Sequence, residues 1–167
     1  MRVLLIITCL VNIAFAFGSL PWLPDQMAPH FGSDGTPTRL EPPAFTAVIM
    51  SVIAVFIGTT FLGVSWLMTV APSDSFNLPN RDYWLNKENR PKTIRRICSV
   101  VEFMGTAAML FMLFVQWELF RANQTVPPKL EGVYVLFGIC VFLIFVTIGT
   151  TRLYLSFRNT KDTTEPL

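Results

Sequence analysis

The sequence predicts an all-α membrane protein with four transmembrane helices and both termini inside (N-in/C-in). Three observations predict it. Only 14% of the 167 residues are charged while 52% are hydrophobic, against about 25% charged in a typical soluble domain. Three stretches carry no charge at all: between Arg2 and Asp25, between Glu41 and Asp74, and between Glu131 and Arg152. A fourth apolar stretch, 97–120, holds only Glu102 and Glu118. A spanning helix needs about 20 mostly apolar residues, and all four stretches supply them. This balance excludes a soluble globular enzyme and a disordered chain. A net charge of +2 gives nucleic acid no footing, so the expected partner is the lipid bilayer.

The first span, 3–20, begins after Arg2 and carries one amide side chain, Asn12. Such an amide is suited to a hydrogen bond across a helix bundle. Arg2, a short apolar core and Ala14-Phe15-Ala16 also fit a secretory signal with a small-x-small cleavage site. The apolar run continues to Leu23, which favours an uncleaved helix. The second span, 44–70, follows Pro42 and Pro43.

The third span, 97–120, places Glu102, Thr106, Met109, Leu113 and Gln116 at 4-3-4-3 spacing, hence on one helix face. A charge in mid-membrane costs at least about 2.5–3.5 kcal/mol. That stripe should therefore turn toward protein and make the third helix the most enclosed. Glu102 lies two turns inside Arg95 and Arg96, and Glu118 one turn from Arg121, so both acids have cations within reach near the interfaces. The fourth span is 133–154. Residues 1–158 thus form one domain, followed by a polar cytoplasmic tail over 159–167. Pro21, Pro24, Pro42, Pro43, Pro72, Pro79, Pro91, Pro127 and Pro128 fall between the spans, where proline belongs. Cys9, Cys98 and Cys140 are far apart in apolar stretches and read as small hydrophobes.

Orientation follows from Lys and Arg, which gather on the cytoplasmic side. The 71–96 loop alone holds Arg81, Lys87, Arg90, Lys92, Arg95 and Arg96. With both termini inside, the inner side carries ten basic residues and the outer side three.

Two loops carry motifs. The outer loop reads Leu23-Pro24-Asp25-Gln26-Met27-Ala28-Pro29-His30-Phe31-Gly32-Ser33-Asp34-Gly35-Thr36-Pro37-Thr38-Arg39, with the only histidine of the chain. The inner loop reads Asn77-Leu78-Pro79-Asn80-Arg81-Asp82-Tyr83-Trp84-Leu85. In this context, directly after a first spanning helix, the outer loop resembles that of the bacterial SdpI-type membrane family. The inner loop resembles one found in a four-helix branch of the same group. The resemblance covers the chain to about Tyr154. It implies a multi-pass protein of the bacterial inner membrane with a role in immunity or signalling against a secreted peptide. It supplies no catalytic residues.

Each motif has more than one reading. His30, with Asp25 or Asp34, is a candidate metal or proton site, but a metal site normally takes three or four protein ligands. Its other reading is structural: an imidazole bonded to loop backbone, pinning the turn between Pro29 and Gly35 and leaving the loop ordered. In the inner loop, Tyr83 and Trp84 read as interfacial anchors. Asn77, Asn80 and Asp82 read as caps of a short helix, and Arg81 with its basic neighbours as lipid-facing charge. A docking site for a cytoplasmic partner is the alternative. No nucleotide, hydrolase or zinc-protease motif occurs, and Asn123-Gln124-Thr125 is a lone sequon. The function expected is non-enzymatic and without cofactor or metal: binding of an extracytoplasmic ligand through Pro24, Asp25, Pro29, His30, Phe31, Asp34, Gly35 and Arg39. An accessory subunit of a larger membrane complex is one alternative. A membrane enzyme or metal protein centred on His30 is the other.

Overall fold

An apolar segment in hydrocarbon must satisfy its own backbone, and a helix does so within one segment. The computed structural model describes residues 1–158. Their order is α1 (Arg2–Gly18), a 3-10 turn (Leu20–Trp22), α2 (Pro43–Val70), a second 3-10 turn (Ser73–Ser75), the one-turn helix α3 (Arg81–Trp84), α4 (Arg90–Asn123) and α5 (Gly132–Arg158). Helices α1, α2, α4 and α5 are long and apolar enough to cross a membrane, so the chain has the all-helical make-up of a multi-pass membrane protein. The tail expected over 159–167 lies outside the described residues.

Most boundaries differ from the charge-based expectation: α1 ends at Gly18 rather than 20, α4 ends at Asn123 rather than 120, and three further shifts have a clear cause. Pro43 opens α2, where its missing N–H is one of the helix's unpaired donors in any case. Helix α4 begins at Arg90 rather than Ile97, with Pro91 inside its first turn. Helix α5 runs to Arg158 rather than Tyr154. The early turns of α4 are amphipathic: Thr93, Ile94, Ile97 and Cys98 are buried while Lys92, Arg95 and Arg96 are exposed. Charge marks where hydrocarbon ends, and a helix continues past it wherever it keeps an apolar face to bury.

Helix α4 is the hub, packed against α1, α2 and α5, while α1 and α2 also pack on each other. In its most apolar window 39% of residues are buried, against 28% in α1, 17% in α2 and 11% in α5. The third spanning helix is therefore the most enclosed, as its polar stripe requires. Glycine permits the close approaches. A Cβ on Gly105 would lie 2.8 Å from Phe61 of α2, and one on Gly138 of α5 would collide with the Phe114 ring of α4.

Two polar layers fasten α1 to α4. In one, fully buried Asn12 donates to the Met109 carbonyl at 3.0 Å and accepts from the Gln116 amide at 2.7 Å. In the other, Glu102 accepts from Arg2 Nε at 3.1 Å and from the Ser65 hydroxyl of α2 at 2.8 Å. The cation beside Glu102 is Arg2, not Arg95 or Arg96. Helix α1 runs parallel to α4, with Arg2 beside Glu102 at one end and Phe15 beside Trp117 and Phe120 at the other, a pairing that sequence distance conceals.

The Arg-rich end is closed by the segment between α2 and α4. Trp84 is buried there rather than placed as a lipid anchor. Its indole N–H donates to the Phe157 carbonyl at 3.0 Å, and its ring meets Phe157 edge-on at 5.4 Å. Tyr83 stacks edge-on against Trp84 at 5.1 Å and is partly exposed. The short helix exists, but no side chain caps it. Asn80 adopts a left-handed conformation (φ 53°) and supplies only its carbonyl to the Tyr83 and Trp84 N–H groups. Asn77 and Asp82 are exposed, and Asp82 pairs with Arg81. The side-chain bonds fall instead just before α4: Asn86 Oδ1 accepts the Glu88 and Asn89 N–H groups, at 3.1 and 2.7 Å.

Candidate functional site

At the opposite end of the bundle the 23–42 loop folds back on itself. Met27 and Glu41 exchange both backbone hydrogen bonds at 2.9 Å, the Thr38 N–H donates to the His30 carbonyl at 3.1 Å, and the Gly32 N–H donates to the Thr36 carbonyl at 2.8 Å. The result is a short two-stranded clasp without a full strand. Prolines Pro24, Pro29 and Pro37 within it restrict the unfolded chain and so favour one form.

The clasp is pinned to the bundle by a residue that the sequence reading passed over. Asn123, the last residue of α4, accepts the Ala28 N–H at 2.7 Å and donates to the Ala28 carbonyl at 3.0 Å. Its carboxamide copies the donor and acceptor of a neighbouring strand. Ala28 is fully buried and Asn123 is 4% exposed. A second tie joins the Leu130 N–H to the Gly35 carbonyl at 3.1 Å. Gly35 has φ 78°, and a Cβ there would collide with the Leu130 backbone. Gly35→Ala should therefore cost about 1–3 kcal/mol from strain alone, and should speed protease cleavage within 23–42. Cleavage at the wild-type rate would refute that.

His30 does not pin the loop. Its side chain is exposed and makes no hydrogen bond to any described residue; only its carbonyl is used, by Thr38. The structural role expected of the imidazole is corrected, because the backbone amide of Ala28, not a side chain of the loop, faces the buried acceptor. Nor do Asp25 and Asp34 join His30: no group of three His, Cys, Asp or Glu side chains placed to hold a metal occurs among the described residues. Arg39 pairs with Glu41 at 3.1 Å, and Glu41 also accepts from the Thr46 hydroxyl at 2.7 Å, tying the loop to the start of α2. Asp34 accepts the Thr36 N–H at 3.0 Å and the Thr36 hydroxyl at 2.8 Å. These bonds hold its carboxyl below the usual carboxylate range. A depressed pKa stabilises the turn above the unfolded-state value and loses that support only as pH falls through the folded one. Titration of Asp34 by NMR should show a midpoint below about 3.9.

What the fold brings together is His30 and Glu118. Both line a cavity of about 260 Å³ beneath the loop, walled by Phe31, Phe114, Leu119, Leu130 and Val135. The Glu118 side chain is 6% exposed, and its ion pair is with Arg121 at 3.6 Å. Arg121 in turn lies over the Tyr134 ring of α5, 4.5 Å from its centre. Three elements thus build the site: the loop lends His30, α4 lends Glu118 and α5 closes the wall. A buried carboxylate with one long ion pair beside apolar walls suits a ligand that is mostly apolar and carries a proton donor.

Residues 3–55 match a domain of unknown function, DUF1648. The DUF1648 match takes in α1, the whole His30 loop and the first part of α2, and leaves Glu118 and Val135 outside it. No curated protein and no solved structure matches the chain.

Proposed function

We propose that the chain is a non-enzymatic protein of the bacterial inner membrane, of the SdpI type, that binds an extracytoplasmic ligand beneath the His30 loop. The observation that carries this reading is the 260 Å³ cavity under an ordered loop, with His30 at its rim and Glu118 in its wall. A secreted peptide fits that chemistry: an apolar side chain against Phe31 and Phe114, and a basic group or N–H toward Glu118. The distribution of basic residues supports an outer loop, with ten Lys and Arg on the proposed inner side against three.

Two measurements test the reading. Reporter fusions after Arg39, Lys92 and Gln124 should read out, in, out; a cytoplasmic signal after Arg39 overturns the orientation. An amphipathic cationic peptide should bind the detergent-solubilised protein. Glu118→Gln and Val135→Trp, one removing the carboxylate and the other filling the cavity, should each weaken that binding about tenfold or more, since desolvated charge contacts are worth roughly 1.5–3 kcal/mol. Unchanged affinity in both variants would refute the site.

A further inference from the structure

A second cleft, between α1 and α5, goes beyond that reading. Helices α1 and α5 both pack on α4 and leave an apolar groove of about 260 Å³ between them. Leu4 forms one wall, Phe137 and Phe145 the other, and Ala107 and Leu110 lie along α4. Phe111 and Phe142 stack at 4.9 Å within it. The groove does not end blindly. At Met1 it meets a polar cavity of about 570 Å³ lined by Arg2, Arg95, Ser99 and Glu102.

The two parts differ in charge as the two ends of an amphiphile do. Arg95 is exposed and makes no ion pair with a described residue. Arg2 spends Nε on Glu102 while its side chain stays 57% exposed. Glu102, the one acid facing this cavity, is covered by Arg2 and Ser65 and is 7% exposed. The accessible field is therefore cationic, at the Arg-rich end of the bundle.

We propose that this cleft is a binding site for a single anionic glycerophospholipid. One acyl chain lies along the Phe-lined groove, and the phosphate sits between Arg95 and Arg2. A partner helix fits less well: phenylalanine rings outnumber the small residues Thr106, Ala107 and Gly138 in the groove, and small residues are what let helix backbones approach. A purely apolar occupant would leave the two guanidinium groups unused.

The test is native mass spectrometry of the full chain in mild detergent, with phosphatidylglycerol or phosphatidylcholine added. The wild type should retain one phosphatidylglycerol about fivefold or more in preference to phosphatidylcholine, the factor expected of a basic residue facing an anionic headgroup. Arg95→Gln should lose the preference while still retaining lipid. Leu110→Trp, which fills the groove from an exposed position, should lose retention of both lipids. Leu110→Ala at the same position should keep it, and thermal melts without lipid should show both Leu110 variants folded. Equal retention of the two lipids by the wild type overturns the proposal. So does retention by a folded Leu110→Trp protein, or a dimer mass with no bound lipid.

Discussion

Asn123→Leu is expected to destabilise the protein far more than His30→Ala. The leucine strands the N–H and the carbonyl of Ala28, which is fully buried. Each stranded group costs about 1–3 kcal/mol, so the loss is about 2–6 kcal/mol in total. His30→Ala removes an exposed ring with no side-chain hydrogen bond and should stay within about 0.5 kcal/mol. Asn123→Gln keeps donor and acceptor on a longer arm and should recover part of the loss. Thermal melts in detergent and protease cleavage within 23–42 would measure all three. A His30→Ala loss equal to that of Asn123→Leu would sink this account of the loop. Because His30→Ala leaves the fold intact, any weakening of peptide binding in that variant belongs to the cavity itself.

What could be read in the sequence is what a bilayer enforces one residue at a time. A charge in hydrocarbon is costly wherever it occurs, so the charge-free stretches locate α1, α2 and α5 closely. The stripe of Glu102, Thr106, Met109, Leu113 and Gln116 was legible for the same reason, and all but half-buried Leu113 are buried. Pairing between distant segments leaves no such mark. Arg2 and Glu102 are one hundred residues apart, and only the parallel packing of α1 on α4 makes them neighbours. Arg95 and Arg96 are nearer in sequence but exposed.

The loops show the same limit. His30 draws the eye because it is the only histidine, yet rarity is not a force, and the ring touches solvent. Asn123 sits inside a sequon that gave no reason to look further. Its real signal was positional: an amide at the end of a spanning helix, where neighbouring backbone needs a partner. Trp84 was read from composition as an interfacial ring, whereas the chain's return through Phe157 buries it. The cavity shared by His30 and Glu118 needed three elements in register, which no local pattern encodes.

Removing both polar layers between α1 and α4 should release α1 from the bundle. Asn12→Leu leaves the buried Gln116 amide without its acceptor. Such interhelical bonds in a bilayer are worth about 0.6–2 kcal/mol. Glu102→Leu removes the acceptor of the fully buried Ser65 hydroxyl and the counter-ion of Arg2. Arg2 is exposed enough to rehydrate, so the stranded hydroxyl sets the loss, about 1–3 kcal/mol. Glu102→Gln still accepts from Ser65 and should lose less. The layers lie about 10 Å apart along α4, seven residues at ~1.5 Å each, so the two leucine substitutions should add within about 0.5 kcal/mol. Cys9 reports the release directly. It is half-buried on α1, its thiol 3.6 Å from the Ala54 carbonyl of α2. Labelling by a membrane-permeant maleimide should be slow in the wild type, faster in each single variant and fastest in the double. The opposing force is the desolvation of the ion pair, since replacing buried charge with apolar side chains is often neutral or stabilising. A Glu102→Leu protein that melts higher than the wild type, with Cys9 no more reactive, would show that desolvation wins and that the Asn12 layer alone holds α1 in place.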